Sequence, residues 1–274
     1  MAGRFAGRRA VVTGASRGIG ARIAERLAAE GADVVITART LGEHDHLAGS
    51  LRETADRLAR YATRVEIVVA DLSDEHDRLR IIPEAVEALA GPIEIVVNNA
   101  AAAMYAAVEG FPLKRRRIMF EVNVHAPVDL ATQVVPGMRA AGEGWIVNLS
   151  SRSAAPWDGP PFALGATGTA TTMYGASKAA LNRLTNGLAA ELYGTGIRVN
   201  TIEPRAAVLS EGAARLVGDD LRPEQVEPME EVVEAVLALC DCPAELTGRR
   251  CISHELIDEL GLTVRGFDGG DWHS

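Results

Sequence analysis

The sequence predicts an α/β fold built on a parallel sheet with helices covering both faces. Three observations point there. Continuous apolar runs of strand length alternate with longer, helix-length patterns. A glycine-rich segment joins the first such run to the first helical pattern. The 274 residues are 47% hydrophobic and 24% charged, which suits a substantial core inside a water-facing surface.

Taken in order, the first strand is read over Ala10-Val11-Val12, followed by a helix from about Ile19 to Glu30 and a second strand over Asp33-Val34-Val35-Ile36-Thr37. That is a βαβ opening. Further strands are expected at Val65 to Ala70, Ile93 to Val97, Trp145 to Leu149 and Arg198 to Ile202, each leading through polar or glycine-containing sequence into a helical stretch. These runs are apolar throughout, so both sheet faces must be covered. A late helix is expected from Glu230 to Leu239. Ala154 to Thr172 has no period and reads as a long loop, often a functional lid in a compact fold. No repeat or low-complexity linker divides the chain. Residues 1–274 are therefore expected to form a single domain, with 154–172 as an inserted substrate-side loop and 261–274 as an irregular C-terminal tail.

The formal charge of −9 argues against the basic, phosphate-tracking surface of a nucleic-acid binder. Met1 to Arg9 lack the apolar stretch of a secretory signal, and no run is long enough to span a membrane. A cytoplasmic location without nucleic-acid or membrane partners follows as an expectation. Cys240, Cys242 and Cys251 are too few for a disulfide framework and read as thiols. No Cys/His pair at zinc spacing follows Cys240 and Cys242, and the six histidines, including His44 and His46 in a polar loop, show no metal spacing. No metal site is expected.

Four segments carry chemistry. Thr13-Gly14-Ala15-Ser16-Arg17-Gly18-Ile19-Gly20 lies between the first strand and first helix, where glycines permit a tight turn and let backbone N–H groups approach a pyrophosphate. It lacks the Gly-Lys-Ser/Thr ending of a P-loop, which excludes a kinase or NTPase of that type. The second strand ends in Thr37-Ala38-Arg39, without the acid that would hold a ribose 2′-hydroxyl; Arg39 and Arg17 instead suit a 2′-phosphate. Tyr174-Gly175-Ala176-Ser177-Lys178 opens a helix and puts a phenol and an ammonium on one face, where the cation favours the phenolate. The strand Trp145 to Leu149 runs into Ser150-Ser151.

The glycine spacing G-x-x-x-G-x-G, the Ser150-Ser151 site and the Tyr-x-x-x-Lys pair, in this order from about Phe5 to about Gly248, resemble the short-chain dehydrogenase/reductase family. The resemblance implies a doubly wound, Rossmann-like fold and an NADP(H)-dependent enzyme acting on a small-molecule carbonyl or alcohol. It implies catalysis by Asn123, Ser151, Tyr174 and Lys178, with Ser150 as the alternative to Ser151 and Asn123 holding a water that links Lys178 to solvent. Cofactor contacts are implied at Gly14, Ser16, Arg17, Gly18, Ile19, Gly20, Arg39, Asp71, Leu72, Tyr174 and Lys178. Asp71 can equally cap a helix.

Some positions depart from the family pattern. Asn98-Asn99-Ala100 resembles its Asn-Asn-Ala-Gly, with Ala101 in place of the glycine; Asn98 and Ala100 are cofactor candidates, while a structural role for Asn98 and Asn99 fits as well. Pro204-Arg205 stands where Pro-Gly is usual, leaving Pro204, Val208 and Ser210 as the candidate nicotinamide contacts, with the register open by one residue. The separation of Ser151 from Tyr174 exceeds the family's, which locates an insertion at about Trp157 to Thr171, with Trp157, Phe162 and Leu164 facing either substrate or another surface. The resemblance further implies a homodimer or homotetramer paired through the helices around Asn123 and Tyr174. The competing reading is a catalytically silent NADP-binding protein that senses redox state or serves an assembly.

Overall fold

The computed structural model describes residues 3–42, 48–164, 168–210 and 225–272. His44 and His46 lie outside the described residues, as do positions 165–167 of the expected insertion.

Among the described residues, seven strands form one parallel sheet in the order β3-β2-β1-β4-β5-β6-β7. They are β1 (Arg9–Thr13), β2 (Asp33–Ala38), β3 (Val65–Val69), β4 (Ile95–Asn98), β5 (Gly144–Leu149), β6 (Ile197–Glu203) and β7 (Arg250–Ile252). The chain winds outward from β1 to β3, then returns to place β4 on the other side of β1. This is the doubly wound, Rossmann-like arrangement, and the reversal between β1 and β4 opens a crevice at the carboxyl ends of the strands.

Helices α1 (Gly18–Ala29), α2 (Leu51–Leu58), α3 (Glu75–Ala88), α4 (Leu113–Phe120), α5 (Ala126–Ala141), α6 (Thr172–Glu191), α7 (Met229–Leu239) and α8 (Ser253–Leu260) flank the sheet. Adjacent strand residues point to opposite faces. Val12, Val34, Val97 and Val147 accordingly join Ile23, Leu27, Val233 and Val236 in one apolar layer, whereas Val11, Val35, Val96 and Ile146 join Ile81, Leu130 and Val134 in the other. The continuous apolar strands are explained by these two layers.

Two elements near the C-terminus go beyond the sequence expectation. Strand β7 is only three residues long and begins with Arg250, so it carries no strand signature. Its edge position is secured by pairing with β6 and by the Arg250 guanidinium, which donates at 3.1 and 2.8 Å to the fully buried carboxylate of Glu203. Helix α8 precedes a tail that is irregular as expected, yet Leu262, Val264 and Phe267 pack against the first apolar layer. Asp71 is not the helix cap: Asp74 caps α3 by accepting the N–H groups of His76 and Asp77. No described helix is long and apolar enough to cross a membrane.

Candidate active site

The crevice is a cleft of about 970 Å³ lined by the ends of β1, β2, β3 and β4. Its floor is the glycine turn. Gly14 has φ +66°, and a Cβ there would fall 2.8 Å from the Ala100 Cα; one on Gly20 would fall 2.3 Å from the Asn99 amide nitrogen. Both positions must lack a side chain because Asn99 is packed onto the turn, donating to the Thr13 and Gly14 carbonyls at 2.9 and 3.2 Å. Gly18, with φ +55°, starts α1, while the Ile19 side chain packs against the core.

Gly14, Ser16, Arg17, Arg39, Asp71, Leu72 and Ala100 all line the cleft. Arg39 is exposed and makes no hydrogen bond or ion pair among the described residues. Arg17 donates to the Gly49 carbonyl at 2.9 Å, and its buried Nε has no partner among the described residues. Asp71 accepts the backbone N–H and hydroxyl of Ser73 at 2.9 and 2.8 Å. Asn98 is used differently from its neighbour. Its amide donates to Asn148 on β5 at 2.7 Å, and Asn148 donates to Thr185 on α6 at 2.8 Å, a buried chain that bolts two strands to the helix. Asn99, rather than Asn98, reaches the cleft.

Helix α6 presents Tyr174 and Lys178, which are 9% and 2% exposed. Gly175 decides what lies beside them. A Cβ there would sit 2.2 Å from the Ser153 carbonyl oxygen, so its absence lets the 3-10 turn Arg152–Ala154 press against the helix. That contact brings the Ser151 hydroxyl within hydrogen-bonding reach of the Tyr174 phenol. Ser151 is also 2.8 Å from the Ser153 hydroxyl, whereas the Ser150 hydroxyl is buried without a partner among the described residues. The Lys178 ammonium donates to the Leu149 carbonyl at 2.7 Å.

The electrostatics differ from the expectation that Lys178 lowers the phenol. Burial dominates and pushes the Tyr174 pKa well up, reinforced by Tyr105, with the Ser151 hydroxyl as the opposing influence. Burial also brings Lys178 down to about 8. Asn123 lies in a π-helical turn, Glu121–His125, between α4 and α5. Its amide accepts from the Ala102 N–H at 2.8 Å and donates to the Ala102 carbonyl and the Ser177 hydroxyl at 2.9 and 3.0 Å. It therefore ties the segment after β4 to α6, one residue from Lys178.

Beyond β6, the Pro204 segment is clamped where the family pattern has its glycine. The Arg205 N–H donates to the Ser253 hydroxyl at 3.2 Å, and the buried Glu227 carboxylate accepts from the Ala206 N–H and from Ser253. Val208 is buried, and its carbonyl accepts the Ser210 N–H at 2.8 Å. Neither the Glu227–Ser253 clamp nor Tyr105, whose ring centroid lies 5.7 Å from that of Tyr174, belongs to any sequence motif. In the insertion, Trp157 is half-buried, and Phe162 and Leu164 stand in solvent. The thiols of Cys240, Cys242 and Cys251 are buried and unpaired.

The cleft fits a dinucleotide on its own geometry. It has a turn left bare at Gly14 and Gly20 beside a helix N-terminus and, without partners among the described residues, the Nε of Arg17 and the Arg39 side chain just after β2. Sheet order and glycine turn are those of a Rossmann-like dinucleotide fold, with Ser151, Tyr174 and Lys178 gathered beside it. The profile of the short chain dehydrogenase family matches residues 8–216, and the chain belongs to that family. Among its relatives, the hydroxysteroid dehydrogenase-like protein 2 of Mus musculus is 29% identical over 97% of this chain and 52% of its own length. The chain thus spans about half the length of that relative. The rhamnolipids biosynthesis 3-oxoacyl-[acyl-carrier-protein] reductase of Pseudomonas aeruginosa is 36% identical over 73% of each chain. The solved structure of a 3-oxoacyl (acyl-carrier-protein) reductase from Agrobacterium tumefaciens, with NADP bound, superposes with a TM-score of 0.76 at 28% identity, covering 90% of this chain and 93% of that one.

Proposed function

We propose that this protein is an NADP(H)-dependent oxidoreductase acting in the cytoplasm on a small or medium, hydrophobic carbonyl or alcohol. The observation that carries the proposal is the buried Tyr174 phenol, with the Ser151 hydroxyl in reach and Lys178 one helical turn away. The Agrobacterium relative with NADP bound supports the choice of cofactor, as do Arg17 and Arg39 in the cleft.

Arg39 and Arg17 would hold the 2′-phosphate, the glycine turn and first turn of α1 the pyrophosphate, and Asp71, Leu72 and Ala100 the adenosine half. Pro204, Val208 and Ser210 are assigned to the nicotinamide end. The bound cofactor supplies or accepts the hydride at nicotinamide C4. Ser151 donates a hydrogen bond to the substrate oxygen and stabilises its developing charge. Tyr174, kept protonated by burial, donates its proton to that oxygen during reduction. Lys178, brought down to about 8, is still mostly protonated at neutral pH and is able to return the proton to the phenolate. Asn123 holds Ala102 and Ser177, and so fixes the wall on which the cofactor and Lys178 meet.

An NADPH fluorescence assay over a panel of aldehydes, ketones and alcohols tests this. Tyr174→Phe is expected to lower turnover by about 10²-fold or more while leaving NADPH bound. Arg39→Asp is expected to shift preference toward NADH. NADPH binding without turnover of any panel member, with a cellular phenotype indifferent to Tyr174→Phe, would instead establish the silent NADP-binding protein. A homodimer or homotetramer is proposed through the apolar groove between α5 and α6, where Val128, Val135, Leu184 and Leu188 line a cavity of about 800 Å³. Sedimentation velocity with Leu184→Glu checks that pairing.

A further inference from the structure

Tyr105 lies between β4 and α4, outside every motif assigned above, and lines the same cleft as Gly14, Arg39 and Asn99. Its ring is tilted 54° to that of Tyr174 with centroids 5.7 Å apart. The phenol is half-buried, stays neutral because burial pushes its pKa up, and makes no hydrogen bond among the described residues. The segment that carries it is anchored on both sides. Asn123 grips the backbone of Ala102, and the Ala106 N–H donates at 2.9 Å to the Ala170 carbonyl, just before α6 begins. The backbone on either side of Tyr105 is therefore tied to the π-helical turn and to the turn that leads into α6. Tyr105 is not a loose loop residue.

A fixed aromatic ring beside a reacting group discriminates by shape and by quadrupole, because a flat π system gains offset or edge-on ring pairing against it that a puckered saturated ring does not. We propose that Tyr105 is the specificity-determining wall of the substrate site and selects substrates whose carbonyl or carbinol carbon is attached to a flat aromatic ring. This rests on the reading of Tyr174 as the proton-exchanging group. The substrate ring lies against Tyr105, and its oxygen points between Tyr174 and Ser151. The expected preference over a saturated ring of equal carbon count is roughly two- to tenfold, from aromatic pairing beyond area burial.

Benzyl alcohol and cyclohexylmethanol test this, since neither reacts with NADPH. Each is titrated by ligand-observed NMR into the protein saturated with NADPH and into the cofactor-free protein. The wild type should bind benzyl alcohol the more tightly. Tyr105→Phe should keep the preference, whereas Tyr105→Ala and Tyr105→Leu should abolish it in the NADPH-saturated protein. No preference in the wild type, failure to bind either alcohol, or a preference that survives in Tyr105→Leu overturns the proposal. A Tyr105-dependent preference without NADPH binding or turnover leaves the wall standing and refutes the oxidoreductase reading. Turnover without the preference does the reverse.

Discussion

Burial of Lys178 makes a stability signature that can be measured without any substrate. The side chain is 2% exposed, and its ammonium donates to the Leu149 carbonyl at 2.7 Å. Its pKa falls from the ordinary 10.5 to about 8 on folding. Between these values the unfolded chain binds more protons than the native one, so stability rises with pH through that window and is lost as pH falls toward 8. From pH 7 to about pH 9.5 this group alone should add about 2 kcal/mol, at ~1.4 kcal/mol per pKa unit. Lys178→Met removes the titration and keeps most of the volume. Urea unfolding of cofactor-free wild type and variant at both pH values provides the assay. The stability difference between them should move by about 2 kcal/mol in favour of the wild type at the higher pH. At pH 7 the variant should be close to wild type, because the lost hydrogen bond to Leu149 offsets the removed burial cost. Parallel pH dependences in the two proteins would refute the claim that Lys178 is held in a desolvating site.

Three further outcomes are expected. Gly175→Ala places a Cβ 2.2 Å from the Ser153 carbonyl oxygen and should drive the Ser151 turn away from Tyr174, lowering kcat by about 10²-fold while NADPH still binds, as single-turnover kinetics and fluorescence titration would show. Asn148→Ala strands the buried Asn98 amide and removes its own bond to Thr185, so unfolding by urea should report a loss of about 2 kcal/mol. Arg26→Met leaves the Glu234 carboxylate, 4% exposed, with Arg4 at 3.7 Å as its remaining cation and should cost about 1.5–3 kcal/mol; Arg26→Met with Glu234→Leu should recover most of it, read as Tm.

The strands and the Tyr174–Lys178 pair were legible because their signals are local. A run such as Val11-Val12 is apolar on consecutive residues only if both sheet faces are covered, and a four-residue spacing on a helix shares a face wherever that helix packs. The choice between Asn98 and Asn99 was not legible. Adjacent residues at a strand end point opposite ways, so a one-residue uncertainty in where β4 stops exchanges the cross-sheet bond for the contact with the glycine turn. Strand β7 escaped notice because its stability comes from Arg250 reaching buried Glu203, a contact between residues 47 apart in the chain. Tyr105 escaped for a related reason, since nothing near it in sequence marks it as a neighbour of Tyr174.

By itself the sequence determined the parallel sheet, the glycine turn and the residue types of the Ser151, Tyr174 and Lys178 cluster, because periodicity, backbone freedom at glycine and helical spacing act over a few residues. Only the tertiary structure decided the state of those groups. Desolvation depends on everything packed around an atom, and it is burial that keeps the Tyr174 phenol protonated and lowers Lys178 to about 8, against the expectation that the lysine would govern the tyrosine. The same holds for the approach to the site. Whether Ser151 meets Tyr174 depends on the bare face of Gly175 against Ser153, and the Tyr105 ring lies beside Tyr174 only because the folding of the chain carries it there.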